Sequence, residues 1–417
     1  MSQLVRRHRL DEVRDLLDVF PAVVVQGARQ VGKSTFAQML VADREYTQVT
    51  LDDVDVAEAA RLDPRALVEQ ANDRTLVVDE IQREPSLILA IKATIDRDRR
   101  PGRFVLTGSS DLLRLSRTPD SLAGRAVTAE LYGLSQGELM GRREDFAAWS
   151  RDAKGVLAGP SSAWSRERYV EAIGRGGYPE IQHLSERHRQ IWFDSYIDRL
   201  LTRDVGDVSR GLSSDRLASV LRLVAANQGG ELVPARIAAE LTMPKSSLSA
   251  YLAALSTLYL TTQLPPWRAN LTKREVGRRK ASVTDSGLAL RLARLQTGAL
   301  TQITGAGALG GPLEAFVATE LLKQRTWSSE DFEIYHFRDR DGLEVDLVIE
   351  FADGKVLLIE VKASSTYRAD HVRGIRVLAE RLGDRFLGGV VMALAQQRRQ
   401  LADRVWGVPV STLWEHR

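Results

Sequence analysis

The chain has 417 residues, 44% hydrophobic and 27% charged, which is enough for two to four domains with buried cores. It holds no cysteine, which excludes disulfides, thiolate zinc sites and cysteine nucleophiles, and its six histidines fall in no metal-ligating spacing. The net charge is a modest +3, no run of about 18 apolar residues predicts a membrane span, and the N-terminus lacks the apolar core of a secretory signal, so a cytoplasmic protein is expected.

In chain order, AVVVQ (22–26) reads as a short buried strand of a parallel sheet. GARQVGKS (27–34) follows it and matches GxxxxGK[ST] in full, with a helical pattern after it. The chemistry requires such a loop: glycines let backbone N–H groups curl around phosphates, and a helix N-terminus adds partial positive charge. Gly27, Gln30, Val31, Gly32, Lys33, Ser34 and Thr35 are the candidate ATP-binding residues. Lys33 reaches the β- and γ-phosphates, and Ser34 ligands Mg²⁺. RTLVVDEIQ (74–82) predicts a second strand ending in Asp79, for the metal shell, and Glu80, for the attacking water. RFVLTGSS (103–110) predicts a third strand whose end places a γ-phosphate sensor, Ser109, with Thr107 and Ser110 as neighbouring choices. Arg125, after a glycine, is either an arginine finger for a neighbouring subunit or one half of a surface ion pair.

Residues 152–164 read as a Gly/Pro/Ser-rich inserted loop, and 167–208 as a helical lid with a sharp turn at Gly176-Gly177. Residues 214–290 resemble a winged helix. Leu248, Leu252, Leu255 and Leu258 share one face of its longer helix, and Lys245, Ser246 and Ser247 begin the other. Lys273, Arg274, Arg278, Arg279 and Lys280 form a basic ribbon suited to DNA phosphates.

A glycine-rich linker (304–311) leads to a helix carrying Glu314 and then to strands carrying Asp346 and Glu360-Val361-Lys362. That set matches the PD-(D/E)XK nuclease pattern. Strand alternation puts Glu360 and Lys362 on one face, where Asp346 and Glu360 can hold a metal ion on a phosphate and Lys362 can orient water. A charged edge hairpin is the alternative.

GARQVGKST, VVDEIQR, LTGSSDLL, LAGR and GGYPE together resemble the bacterial and archaeal AAA-type ATP-binding proteins that carry a C-terminal domain of unknown function. The resemblance runs from about Arg6 to about Lys362 and implies an AAA-type ATPase, oligomeric because such sites often form between subunits. It also implies a C-terminal domain related by fold to restriction-type nucleases. The expected fold class is α/β: a P-loop AAA-type ATPase domain (1–140), a helical lid (141–212), a winged helix (213–300) and a PD-(D/E)XK nuclease-like domain (301–417). The expected function is an ATP- and Mg²⁺-dependent ATPase acting on DNA. One alternative is a helicase or Holliday-junction motor whose nuclease-like domain only binds DNA. Another is a nucleotide-switched regulatory or defence protein with a protein partner.

Overall fold

The computed structural model describes residues 4–109, 122–152, 160–201, 211–269, 277–302 and 306–416. The first part alternates helix and strand: α1 (Leu10–Val19), β1 (Ala22–Gln26), α2 (Lys33–Leu40), β2 (Tyr46–Thr50), α3 (Val54–Leu62), α4 (Pro64–Glu69), β3 (Thr75–Asp79), α5 (Ser86–Arg97), β4 (Phe104–Gly108) and β5 (Ala126–Glu130). Short β-branched runs separated by helices dictate parallel pairing. The sheet order is β2-β3-β4-β1-β5, every pair parallel. β1 is buried along its whole length, whereas the edge strand β2 is half-exposed. One face packs on α1 and α2 through Val23, Val25, Phe36 and Leu40, and the other on α5 through Leu76, Ile88 and Ile91.

The middle of the chain is helical: α6 (Gln136–Met140), α7 (Phe146–Ser150), α8 (Arg166–Arg175), α9 (Glu186–Arg199), α10 (Ser214–Ala226), α11 (Pro234–Glu240) and α12 (Lys245–Thr257). An antiparallel ribbon of β6 (Thr261–Leu264) and β7 (Lys280–Val283) follows, then α13 (Ser286–Leu292) and α14 (Thr297–Thr301). The Gly176-Gly177 turn owes its composition to close approach. Gly176 has φ +69°, a Cβ there would lie 2.4 Å from Asp285 Oδ1, and one on Gly177 would lie 2.6 Å from the Leu134 carbonyl. Leu248 and Leu255 of α12 and Leu258 just after it are buried, and Leu252 partly so. They join a core that is continuous with the first sheet.

The last part comprises α15 (Ala306–Arg325), β8 (Phe332–Arg338), β9 (Glu344–Phe351), β10 (Val356–Lys362), α16 (Arg373–Leu382), β11 (Phe386–Ala393), β12 (Arg399–Ala402) and β13 (Val405–Pro409). Its mixed sheet has the order β12-β13-β11-β10-β9-β8, with β10, β11 and β13 parallel. α15 and α16 cover opposite faces of the buried strand β10. The described part of the expected glycine-rich linker, 306–311, is instead the first turns of α15. One of its glycines serves packing: a Cβ on Gly311 would lie 2.3 Å from the Gln228 carbonyl oxygen, so the helix meets the backbone just beyond α10, whereas Gly307 and Gly310 face open space. The expected inserted loop at 152–164 is only partly described, but Trp164 is buried against Tyr169 and Trp414. Among the described residues no helix is long and apolar enough to cross a membrane.

Candidate functional sites

The strand order decides the first site. Because β4 lies between β1 and β3, the C-terminal ends of the glycine-loop strand, the acidic strand and the Thr107–Ser109 segment open side by side. At that edge Ser34 Oγ donates to both carboxylate oxygens of Asp79, at 2.9 and 2.8 Å. Thr107 Oγ1 also donates to Asp79, and it accepts the Glu80 backbone N–H at 3.1 Å. Glu80 is held in the left-handed region at φ +56°, a conformation costing a non-glycine residue about 1–3 kcal/mol and retained where surroundings over-determine it. Ser109 Oγ donates to its carboxylate at 3.0 Å, and Gln82 bonds both. Burial works to raise the Glu80 pKa, but the Lys33 charge, those hydrogen bonds and Arg29 outweigh it and hold the group below the usual glutamate value.

Lys33 is 5% exposed, and its ammonium donates to the carbonyls of Gly27 and Ala28 at 3.2 and 2.9 Å. Gly27 cannot carry a side chain, since a Cβ would lie 2.1 Å from the Leu131 carbonyl oxygen. A cavity of about 840 Å³ runs over the loop, lined on one side by Gln30, Gly32, Lys33, Ser34, Thr35, Asp79 and Glu80 and on the other by Pro179, His183, Tyr196 and Arg199. A slightly larger cavity, about 920 Å³, lies behind the loop among Gln26, Glu130, Tyr259 and Asp285. Of the two, the former alone gathers Lys33, Ser34, Asp79 and Glu80.

Several residues here escaped sequence reasoning. Arg7 is buried and donates to the Val31 carbonyl at 3.0 Å, the Tyr132 carbonyl at 2.6 Å and Glu138 at 3.1 Å, so it braces the loop from outside. Nothing marks it among so many arginines, although SQGE (135–138) is a readable capping box and forms one. Pro179 of GGYPE stands over the loop, 3.6 Å from where a Gly32 Cβ would be. Arg125 pairs with Asp96 at 2.5 Å and precedes β5, at the opposite end of the sheet from Gln26. Five extended residues span about 17 Å, so it does not reach the glycine loop of its own chain. Ser110 lies outside the described residues.

The second cluster lies in the last part. Glu314 comes from α15, Asp346 and Glu344 from β9, and Glu360 and Lys362 from β10. Asp346 Oδ2 accepts the Val361 N–H at 2.8 Å and lies 3.4 Å from Lys362 Nζ, which also pairs with Glu360 at 2.5 Å. Glu314 is held above the usual glutamate range by burial and then by Asp346, against the pull of Lys280. Glu360 is raised by burial and Asp346 against Lys362.

Lys280 corrects an expectation. The sequence places it on a phosphate-binding surface, yet it is 3% exposed and its ammonium pairs with Glu314 at 2.6 Å and Glu344 at 2.9 Å. Burial would lower its pKa, but Glu314, Asp346 and Glu344 raise it, so it stays charged. The cause is position: Lys280 pairs with Leu264 at one end of the ribbon, in a strand whose four residues are all buried, and its ammonium there meets Glu314 and Glu344. Arg278 is exposed and Arg279 half-buried; Lys245 and Ser246 are exposed and Ser247 half-buried at the start of α12. Lys273 and Arg274 lie outside the described residues. Among the described residues no group of three or more His, Cys, Asp or Glu side chains is arranged to hold a metal ion.

A family model described as an AAA domain matches residues 19–140, the segment that holds the glycine loop, Asp79-Glu80 and Ser109. Residues 19–140 are an AAA-type P-loop domain. Behind this AAA-type domain, two families described as domains of unknown function (DUF8612 and DUF4143) match residues 166–299 and 309–413. Uncharacterised proteins of Mycobacterium bovis and Mycobacterium tuberculosis are each 26% identical over 362 residues, 87% of this chain and 74% of theirs. Among solved structures, the Walker-type ATPase of Pyrococcus abyssi is similar over 69% of this chain and 96% of its own, at 14% identity and a TM-score of 0.43. The Thermotoga maritima RuvB Holliday junction branch migration motor is similar over 63% and 90%, at 17% identity and a TM-score of 0.31.

Proposed function

We propose that this protein is an ATPase that hydrolyses ATP in the presence of Mg²⁺ and acts on DNA, with a winged helix and a nuclease-like domain following its AAA-type domain. The observation that carries the reading is the convergence of Lys33, Ser34, Asp79, Glu80 and Ser109 at one sheet edge. The Gly27–Thr35 loop offers backbone N–H groups to phosphates, and Lys33 offers charge to the β- and γ-oxygens. Glu80, kept ionised and aimed by Ser109 and Gln82, accepts a proton from an attacking water. The Ser34 hydroxyl and Asp79 carboxylate are hard oxygen donors already in contact, which suits Mg²⁺. Once bound, that ion would neutralise charge on the phosphates.

Helix, three strands, helix and strand, with Glu314, Asp346, Glu360 and Lys362 drawn together, support a nuclease-like last domain. One observation favours the reading in which that domain binds DNA without cutting it: Lys280 and Lys362 pair with all four carboxylates. Arg125, too distant from its own loop, acts as a finger only if subunits assemble.

The test is the steady-state ATPase rate with Mg²⁺, alone and with single-stranded, duplex or four-way-junction DNA. Lys33→Ala should lower the rate roughly a hundredfold or more, the loss expected for one group stabilising transition-state charge. Stimulation by one DNA form names the substrate. A rate indifferent to every DNA favours a nucleotide-switched protein with a protein partner.

A further inference from the structure

Where the ribbon meets the second sheet, a cavity of about 690 Å³ is lined by Arg236, Arg268, Arg278, Arg338 and Arg340. Three separate elements contribute: α11 gives Arg236, the ribbon arms give Arg268 and Arg278, and the end of β8 with its turn gives Arg338 and Arg340. The two acidic residues of the lining are engaged. Asp339 accepts the backbone N–H groups of Asp341 and Leu343 and pairs with Arg381 at 3.1 Å, while Glu231 stands 3.8 Å from Arg278. The side chains of Arg278, Arg236 and Arg338 remain 66, 59 and 46% exposed. Like charges gathered in a cleft repel one another and focus a field, an arrangement that favours an arriving polyanion.

The ribbon's path holds the cleft open in one geometry. The Trp267 N–H donates to the His336 carbonyl at 2.6 Å, the His336 N–H to the Pro265 carbonyl at 3.1 Å, and Arg268 to the Arg338 carbonyl at 2.6 Å. The cleft also leads somewhere. Arg338 lies 3.8 Å from Glu344, which pairs with Lys280, two residues along the chain from Arg278.

We infer that this cleft is the nucleic-acid site: its arginine forks grip successive phosphates of a DNA backbone and lay the strand beside the cluster of Glu314, Asp346 and Glu360. Guanidinium forks match phosphate oxygens in pairs, so arginines from three elements fix a backbone's direction as well as its charge. The inference rests on the DNA reading proposed above and moves the principal contact away from Lys245 and Ser246 on α12.

The test is fluorescence anisotropy of labelled single-stranded DNA, duplex DNA and RNA of one sequence, titrated with the full chain over a range of salt. Arg278→Ala/Arg340→Ala is compared with Lys245→Ala/Ser246→Ala. Both cleft residues are exposed, so the fold should survive, with Arg278→Lys/Arg340→Lys as a charge-keeping control. Losing two phosphate contacts should weaken DNA binding at least tenfold and flatten the slope of log K against log salt by about two for duplex DNA. The control should recover much of both, and the α12 pair should change neither. RNA bound more tightly than DNA, or polyglutamate bound as tightly as DNA with the same dependence on Arg278 and Arg340, overturns the assignment to DNA. If the wild type binds DNA and the cleft variant behaves identically, the cleft falls while the DNA reading stands. A wild type that binds no nucleic acid removes both.

Discussion

His336 sits wholly buried where the ribbon lies on β8, its Nε2 3.0 Å from the Arg278 carbonyl. Burial first, then the charge of Lys280, push its pKa from 6.5 down to about 4; Arg268 adds to this, while the Arg278 carbonyl and Glu344 oppose it. Between those two values the unfolded chain binds a proton that the folded chain refuses. The stabilisation is therefore whole above the unfolded pKa and is lost as pH falls toward 4, by up to about 3 kcal/mol at roughly 1.4 kcal/mol per pH unit. Urea unfolding of wild type and His336→Gln at pH 7 and pH 4.5 isolates this part, since the carboxylates titrate alike in both proteins. The variant should lose less stability on acidification than the wild type. Equal losses would show that His336 titrates normally.

Gly311 makes the corresponding argument for an element. In an ordinary helix interior, glycine to alanine stabilises by about 1 kcal/mol. In α15 the new methyl would lie 2.3 Å from the Gln228 carbonyl oxygen, a backbone atom that cannot swing aside. Gly311→Ala should therefore destabilise by about 1–3 kcal/mol, the usual cost of overpacking, and lower the melting temperature. A rise in melting temperature would mean that α15 does not pack so closely on the Gln228 backbone. This glycine also shows what the sequence hides. GALGG reads as a linker because glycine has low helix propensity, and only the tertiary approach reveals why helix tolerates it. Local signals did announce the strand, loop and helix at 22–40, since both halves of that motif are contiguous in the chain. The alternation in Glu360-Val361-Lys362 placed two charges on one strand face, and they meet at 2.5 Å. Lys280 reads as part of a surface ribbon because it directly follows two arginines, of which Arg278 is exposed and Arg279 half-buried. Its partners Glu314 and Glu344 lie 34 and 64 residues away, beyond the reach of any local pattern.

At the scale of the whole molecule, the cores do not respect the order of the chain. Val23 and Phe36 of the first sheet belong to one apolar cluster with Leu221, Leu248 and Leu255 of the helical middle. Phe146, Trp164 and Tyr169, from early in that middle, belong instead to the cluster of Phe316, Leu357 and Trp414. Trp164 meets Trp414 edge-on at 4.9 Å, and the Tyr169 hydroxyl accepts the Ser411 N–H at 2.9 Å. Lys323 of α15 reaches back to the Leu134 carbonyl at 2.9 Å, and Glu320 accepts the Gln136 N–H at 2.8 Å. A chain ending at residue 300 would thus keep the glycine loop but uncover Phe146, Trp164 and Tyr169. Each forfeits about 2 kcal/mol of burial, a sum comparable with the whole stability of a typical domain. Such a fragment should aggregate or bind a hydrophobic dye, whereas the full chain should melt with the two ends coupled. The check is size-exclusion chromatography and calorimetry of residues 1–300 beside the full chain. A monomeric fragment with the full chain's ATPase rate and an undisturbed melting temperature would show that the last domain only rests on the rest. Aggregation would show that Phe146, Trp164 and Tyr169 need the last part of the chain to stay buried, so that the helical middle and the second sheet fold as one body.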